Sequence, residues 1–566
     1  MGNKVIVIGL DGATFTVLQP WIDQGFLPTF KKMQEEGVSA PLESVMPPIT
    51  APAWASFMTG KNPGKHGIFY FFTHSQDKGR DVLVDASERT GKTIWRLLSD
   101  KKKKVVVLNV PTTYPPEEVN GAMVSCFLTP PGKRDFVYPP SLLGEIEHKF
   151  GEYPLDIKTI VFSPTLNPRC TEHFLKEINR ELDYKINVFI YLMEQYDSDF
   201  NMLHIKGSDR LQHDLWNFFD KDAPFFNQKM ADRFLQKIIT YFQNIDKKLK
   251  ELLDKYQDRA DIFIMSDHGF GPVHTWIDLN AWLLEEGFVK LKDTKTARIK
   301  LALWKAGLNN AFFFKILLNT VLRYGWRFLE KIHNIDNTGA VRAVSMKNIS
   351  LSFDDIDWKR TTAYSRMGPG AINVNLKGRE THGLVKPGKE FEKVKEDLIS
   401  RLKDMRNPKT GEMVNGKVFL PEDIYNGPFV KNAPDIMFYP LETGYLAGNF
   451  FGFTTPKIMV DNVISPGNHR MDGVFMACGK NIIPGKTLRR ASIMDLASTF
   501  LYLLGCPISD KMDGKILKEI IDPDFLSGNI PEYFPEDLTG GKEVKDLSPE
   551  IDREVEARLK GLGYLG

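Results

Sequence analysis

Four apolar, β-branched runs, each ending in a polar cluster, constrain this chain more than any other feature. They are KVIVIGLDG from Lys4, KKVVVLNVPTTYPP from Lys103, DFNMLHIKGSD from Asp199 and ADIFIMSDHGFG from Ala260. Short runs that are apolar throughout suit strands buried on both faces. Helical patterns lie between them, PTFKKMQEEG from Pro28 and KMADRFLQKIITYFQNIDKKLKELLDKY from Lys229. Strand alternating with helix predicts an α/β fold in which a mainly parallel sheet lies between helices. In such sheets ligands bind beyond the C-terminal ends of the strands, and every polar cluster named above falls at that edge.

The chain has 566 residues, 42% apolar and 11% aromatic, enough to bury a large core in several structural units. Its 74 basic and 72 acidic residues nearly cancel, so no nucleic-acid partner is expected and any charged ligand must be met by a local patch. Cys126, Cys170, Cys478 and Cys506 are far apart with no CxxC pair, which argues against a disulfide framework and a thiolate metal site. The opening MGNKVIVIGLDGATF runs straight into a strand too short for a signal or membrane segment. No later uncharged apolar stretch reaches the about 18 residues of a membrane span. The expectation is a soluble, cytoplasmic protein, with peripheral membrane contact left open.

The domain reading places a first core part at 1–289, a helical basic and apolar insertion at 290–350, a second core part at 351–520 and a loosely attached tail at 521–566. Residues 290–336 carry ten Lys or Arg against Asp293, Glu330 and Asp336, interleaved with LALW, AFFFKILL and YGWRFL. That pattern fits a cap over the site, a dimer contact or an amphipathic surface on anionic lipid.

The stretch SVMPPITAPAWASFMTG puts one hydroxyl, Thr50, between prolines at the start of a short apolar helix that Gly60 closes. Thr50 is either an ordinary helix cap or a hydroxyl placed where the helix dipole favours a developing alkoxide or phosphate. Asp11 follows the first run, Asp209 and His213 the third, Asp267 and His268 the fourth, and His469 lies in a glycine-flanked turn. The i, i+4 spacing of Asp209 and His213 puts both on one helical face, able to share an ion. Seven oxygen and nitrogen donors at one sheet edge point to two divalent cations beside Thr50, an arrangement suited to phosphoryl transfer. A threonine hydroxyl needs such help to act as a nucleophile. Three carboxylates and one alkoxide cancel two dications, which favours a diester monoanion over a monoester dianion. Lys206, Trp54 and His274 are candidate substrate contacts, with packing the alternative for Trp54 and His274.

In this order GLDG, TAPAWASFMTGKNPGKHGI, DRLQH, SDHGFG and GNHRMDG resemble the alkaline phosphatase superfamily, in its type I phosphodiesterase and nucleotide pyrophosphatase branch. The resemblance implies an alkaline-phosphatase-like core and a hydrolase of phosphodiester or phosphoanhydride bonds acting on a phosphate-ester or nucleotide-like small molecule. It implies Thr50 as covalent nucleophile, one metal on Asp11, Thr50, Asp267 and His268, and a second on Asp209, His213 and His469. The metals would usually be zinc, and the donor types also permit manganese or iron. The sequence departs from the branch in two respects. Where its nucleotide pyrophosphatases read T-x-P-N, Ala53 and Trp54 follow Pro52 here, so nucleotide preference is not implied. The asparagine that grips the phosphoryl oxygen has no evident counterpart either; DASERTGKTIW occupies the corresponding region, with Ser87 and Arg89 as its polar candidates. Two rival readings are a transferase passing a phospho-headgroup to an alcohol and a non-catalytic lipid- or protein-binding member.

Overall fold

The structure, a computed structural model, describes residues 3–75, 80–157, 168–223, 226–309, 350–366, 368–448, 453, 455–461 and 465–538. Among these, the largest sheet has ten strands. The four runs become neighbours at its centre: Ala260–Met265, Lys4–Leu10, Phe200–Ile205 and Val105–Leu108 lie side by side, all parallel. Gly9 stands opposite both His204 and Met265, so these strands end level and deliver their polar clusters to one edge.

Alternation along each strand builds two cores. Ile6, Ile8 and Leu10 face one helical layer, which includes Gln228–Tyr256, while Val5 and Val7 face another, formed in part by Thr50–Thr59 and Asp495–Leu503. The central strands are buried along nearly their whole length, which is why they read as unbroken apolar runs. One late strand breaks the parallel order. Asp472–Gly479 runs antiparallel between Ala260–Met265 and Val38–Glu43, the strand that leads to Thr50.

Two boundaries differ from the sequence reading. Residues 351–440 do not continue the main sheet. Strands Ala363–Tyr364, Ala371–Val374, Gly416–Phe419 and Ile436–Pro440 form a separate four-stranded sheet, and with the helix Lys389–Lys403 they close a third core. The chain rejoins the main sheet only with Asp472–Gly479. The expected loose tail is docked over 521–538, because Tyr533–Phe534 pairs with Ile508–Ser509 and Glu536 forms a buried ion pair with Lys61. Of the predicted insertion, the helix Lys295–Lys305 is described, and 310–349 lie outside the described residues. Among the described residues, no helix is long and apolar enough to cross a membrane.

Candidate active site

Thr50 is the first residue of its helix. Ile49 occupies the cap position and makes no side-chain cap bond, so the threonine is not the cap of this helix. Its Oγ1 lies 3.3 Å from His268 Nε2. Gly60 ends the helix in the left-handed conformation, as its sequence position predicts.

His268 Nε2 is a hub, 3.2 Å from Asp267 Oδ2 and 3.5 Å from Asp11 Oδ1. Asp11 turns in from the first strand through Gly12, whose φ of 65° a side chain would resist. The Gly12 amide donates to Asp267 Oδ1 at 3.1 Å, tying the first and fourth clusters together. On the helix Gly207–Leu215 the expected i, i+4 pair is formed: His213 Nε2 is 3.5 Å from Asp209 Oδ1. His469 Nε2 is 3.2 Å from the same oxygen. His469 arrives on the short strand Gly467–Arg470, whose antiparallel register sets it opposite Phe270. That register stacks its ring on His268, with centroids 3.7 Å apart.

Donor atoms thus fall into two overlapping groups, Asp209 with His213 and His469, and Asp11 with Asp209 and His268; within each they lie within 4.8 Å of one another. All seven predicted residues are buried. Four carboxylate oxygens, Asp11 Oδ1, both of Asp209 and Asp267 Oδ2, have no hydrogen-bond partner. Burial, then Asp267 and Asp209, pushes the Asp11 carboxyl well above the usual range, and burial lifts Asp267 to about 8 against the opposing Gly12 amide. Burial also holds His213 at about 4, His469 at about 3 and His268 well below an ordinary imidazole.

The histidine tautomers follow from their neighbours. Each Nδ1 faces a backbone carbonyl, which can only accept: Gly467 for His213, Pro48 for His469 and Gly269 for His268. Nδ1 therefore carries the proton and Nε2 the lone pair. The Nε2 atoms of His213 and His469 are 2.9 Å apart, two lone pairs that repel unless an electropositive centre lies with them. Unpartnered buried carboxylates beside neutral, correctly oriented imidazoles fit divalent cations. Oxygen and nitrogen donors without thiolate suit zinc, manganese or iron.

Sequence reasoning missed the supporting groups. His204, on the strand Phe200–Ile205, contacts Asp11 Oδ2 at 2.7 Å, leaving Oδ1 toward the site. Ser208 donates to the Asp11 carbonyl and Gln212 to that of Gly12. A histidine inside an otherwise apolar strand was the one available signal. The predicted substrate contacts differ from one another. Trp54 is a fully buried core residue, edge-on to His204 and so close to Gly9 that a Cβ there would meet its ring at 2.5 Å; it does not line an open pocket. Lys206 is buried and paired with Asp156, its ammonium 4.6 Å from the Phe127 ring. His274 is partly exposed, with Nε2 4.0 Å from Asp220. Ser87 is engaged with Asp85, and Arg89 with Glu117 and the Thr112 carbonyl.

The family model for type I phosphodiesterase / nucleotide pyrophosphatase matches residues 5–450. The chain belongs to that family. As a member it is a phosphodiesterase/nucleotide pyrophosphatase-like hydrolase of a metal-dependent family, in the alkaline phosphatase superfamily branch its motifs resemble. His469 lies beyond the matched span. No curated protein matches the sequence. Among solved structures the chain is similar to murine ectonucleotide pyrophosphatase / phosphodiesterase 5, an inactive variant in complex with AMP, at 13% identity, covering 92% of this chain and 100% of that one with a TM-score of 0.47. It is similar also to the human protein of that name, at 14% identity with the same coverage and TM-score.

Proposed function

We propose that the chain hydrolyses phosphodiester or phosphoanhydride bonds through a covalent phospho-threonine on Thr50, with two divalent cations, most simply zinc. One would be held by Asp11, Thr50, Asp267 and His268, and the other by Asp209, His213 and His469. The observation that carries this reading is the Thr50 hydroxyl itself: buried, relieved of capping and 3.3 Å from His268 Nε2 among unpartnered carboxylates. Cations bound there lower the pKa of a coordinated hydroxyl and neutralise charge on phosphoryl oxygens.

The chain's own groups perform the rest. The Nδ1–H donors of His213, His268 and His469 hold each ring with its Nε2 inward. Thr50 Oγ1 gives up its proton and attacks phosphorus, the Oγ–P bond forms, the bond to the leaving oxygen breaks, and that oxygen departs as an alcohol or phosphate having taken up a proton in exchange. Water then attacks the phospho-threonine from the vacated side, releasing phosphate or a monoester and restoring the hydroxyl. Two inversions give net retention at phosphorus.

Substituting Thr50 by Ala is expected to lower turnover of a nitrophenyl phosphodiester by about 10³-fold or more. Full activity in that variant overturns the proposal. A screen of nitrophenyl mono- and diesters with zinc, manganese and magnesium assigns ester class and metal. A peripheral contact with anionic membrane is a second element of the reading, favoured by Ile299, 60% exposed beside the exposed Lys295 and Arg298 on one short helix. Liposome co-sedimentation that ignores Ile299→Asp removes it.

A further inference from the structure

The C-terminal end of the Thr50 helix is gripped by a part of the chain that lies outside the family match. The Gly60 carbonyl accepts from the amides of Asp513 and Gly514 at 2.8 and 3.1 Å. The Asp513 carboxylate accepts from the Asn62 amide and side chain, both at 2.8 Å, and from Lys65 Nζ at 2.6 Å. Between these contacts lies Lys61, fully buried, with its ammonium 2.8 Å from Glu536 Oε2. Glu536 is held in turn: Ser509 Oγ donates to Oε2 at 2.5 Å and the Lys92 amide to Oε1 at 3.1 Å. The segment bearing Glu536 joins the body through the two-residue pairing of Ile508–Ser509 with Tyr533–Phe534. Burial pushes the Lys61 ammonium down and Glu536 opposes it.

We propose that Lys61 and Glu536 are positioning residues for the reaction, a latch through which the C-terminal segment fixes the helix that presents Thr50. The inference rests on the reading of Thr50 as nucleophile. Ten helical residues connect the hydroxyl to its C-terminal anchor, and the helix is buried along its whole length, so it moves as one rod. An anchor that loosens lets the rod slide or tilt, and displacement of a nucleophile by about 1 Å can reduce turnover 10²-fold without altering the groups that bind substrate. A buried ion pair is poor at adding stability compared with an apolar pair of similar volume but good at fixing one geometry, which suits a positioning role.

Two variants separate positioning from mere stability. Glu536→Gln keeps the acceptor for Ser509 and removes the charge, while the double variant Lys61→Met with Glu536→Leu replaces the pair by apolar groups and leaves no buried charge behind. Each is assayed for kcat and KM on a nitrophenyl phosphodiester, for metal content and for melting temperature. The expected result is a kcat lowered about 10-fold or more in both, with KM and metal content unchanged, and with the melting temperature of the double variant near that of the parent. A kcat within about twofold of the parent in the folded double variant overturns the latch. So does a loss in Glu536→Gln that the double variant restores, because activity would then be following stability. If Thr50→Ala retains activity, the nucleophile reading fails instead, whatever these variants do.

Discussion

Asp209 reaches both groups of donors, so its removal has a wider effect than that of any single histidine. Asp209→Asn is expected to lower the content of both cations and the rate together, whereas His213→Ala should leave one cation bound; metal analysis beside kinetics reads the difference. His204 stands behind Asp11, and His204→Ala is expected to weaken metal binding by about 10- to 100-fold, measured by chelator competition. The buried titrations also set a pH dependence. In the metal-free protein Asp267 is raised to about 8, so it stabilises the fold while protonated and loses that contribution as pH climbs toward 8. His213 and His469, depressed to about 4 and about 3, stabilise above the ordinary 6.5 and lose their contribution as pH falls through those values. Between 6.5 and 8, among these groups, only the carboxylate slope acts. Denaturation in chelator should therefore show stability falling as pH rises over that window, by at most about 1.4 kcal/mol per pH unit for each proton released, and saturating zinc should remove the slope. The donors themselves could be picked out of the sequence because carboxylates and imidazoles at strand ends carry their chemistry in their identity. His204 could not, since its role depends on standing level with Gly9 across two paired strands. Trp54, read as either a substrate contact or packing, is fully buried in the core beneath the strand ends.

At the scale of elements, the turn after the first strand is the most exacting. Gly12 has a positive φ, and a Cβ there would lie 3.2 Å from Asp209 Oδ1 and 3.3 Å from His268. Gly12→Ala is expected to cost about 1 kcal/mol or more in backbone strain and to lower metal affinity as well, readable as a fall in both the melting temperature and its zinc-induced rise. Such turns were visible in the sequence as Asp-Gly, and the four central strands as apolar runs. The strand Gly467–Arg470 was not visible, because four residues containing Gly, Asn, His and Arg have no strand signature of their own. Pairing with Gly269–Pro272 makes it a strand, and only that pairing brings His469 to its partners. Likewise the small four-stranded sheet over 363–440 was read as more of the main core, since short strands do not announce which sheet they join.

At the scale of the molecule, the docked C-terminal segment is part of the stability of the whole. Ending the chain after Ile520 removes Glu536 and leaves the Lys61 ammonium buried without its carboxylate. That is expected to cost about 3–5 kcal/mol, seen as an earlier urea midpoint, with part of the loss recovered by adding Lys61→Met. The strand Val38–Glu43 gives the chain a further property. Among the described residues of the main sheet it pairs only with Asp472–Gly479, Lys486–Thr487 and Ala491–Ser492, all made more than 400 residues later. During synthesis this strand precedes all of these partners and stays without them until residues 472–492 have been made. Contacts spanning such distances form slowly and leave apolar edges open in the meantime. A nascent chain that has not yet reached Asp472 therefore lacks every one of these neighbours of the strand leading to Thr50, and that apolar edge is the one a chaperone would have to cover.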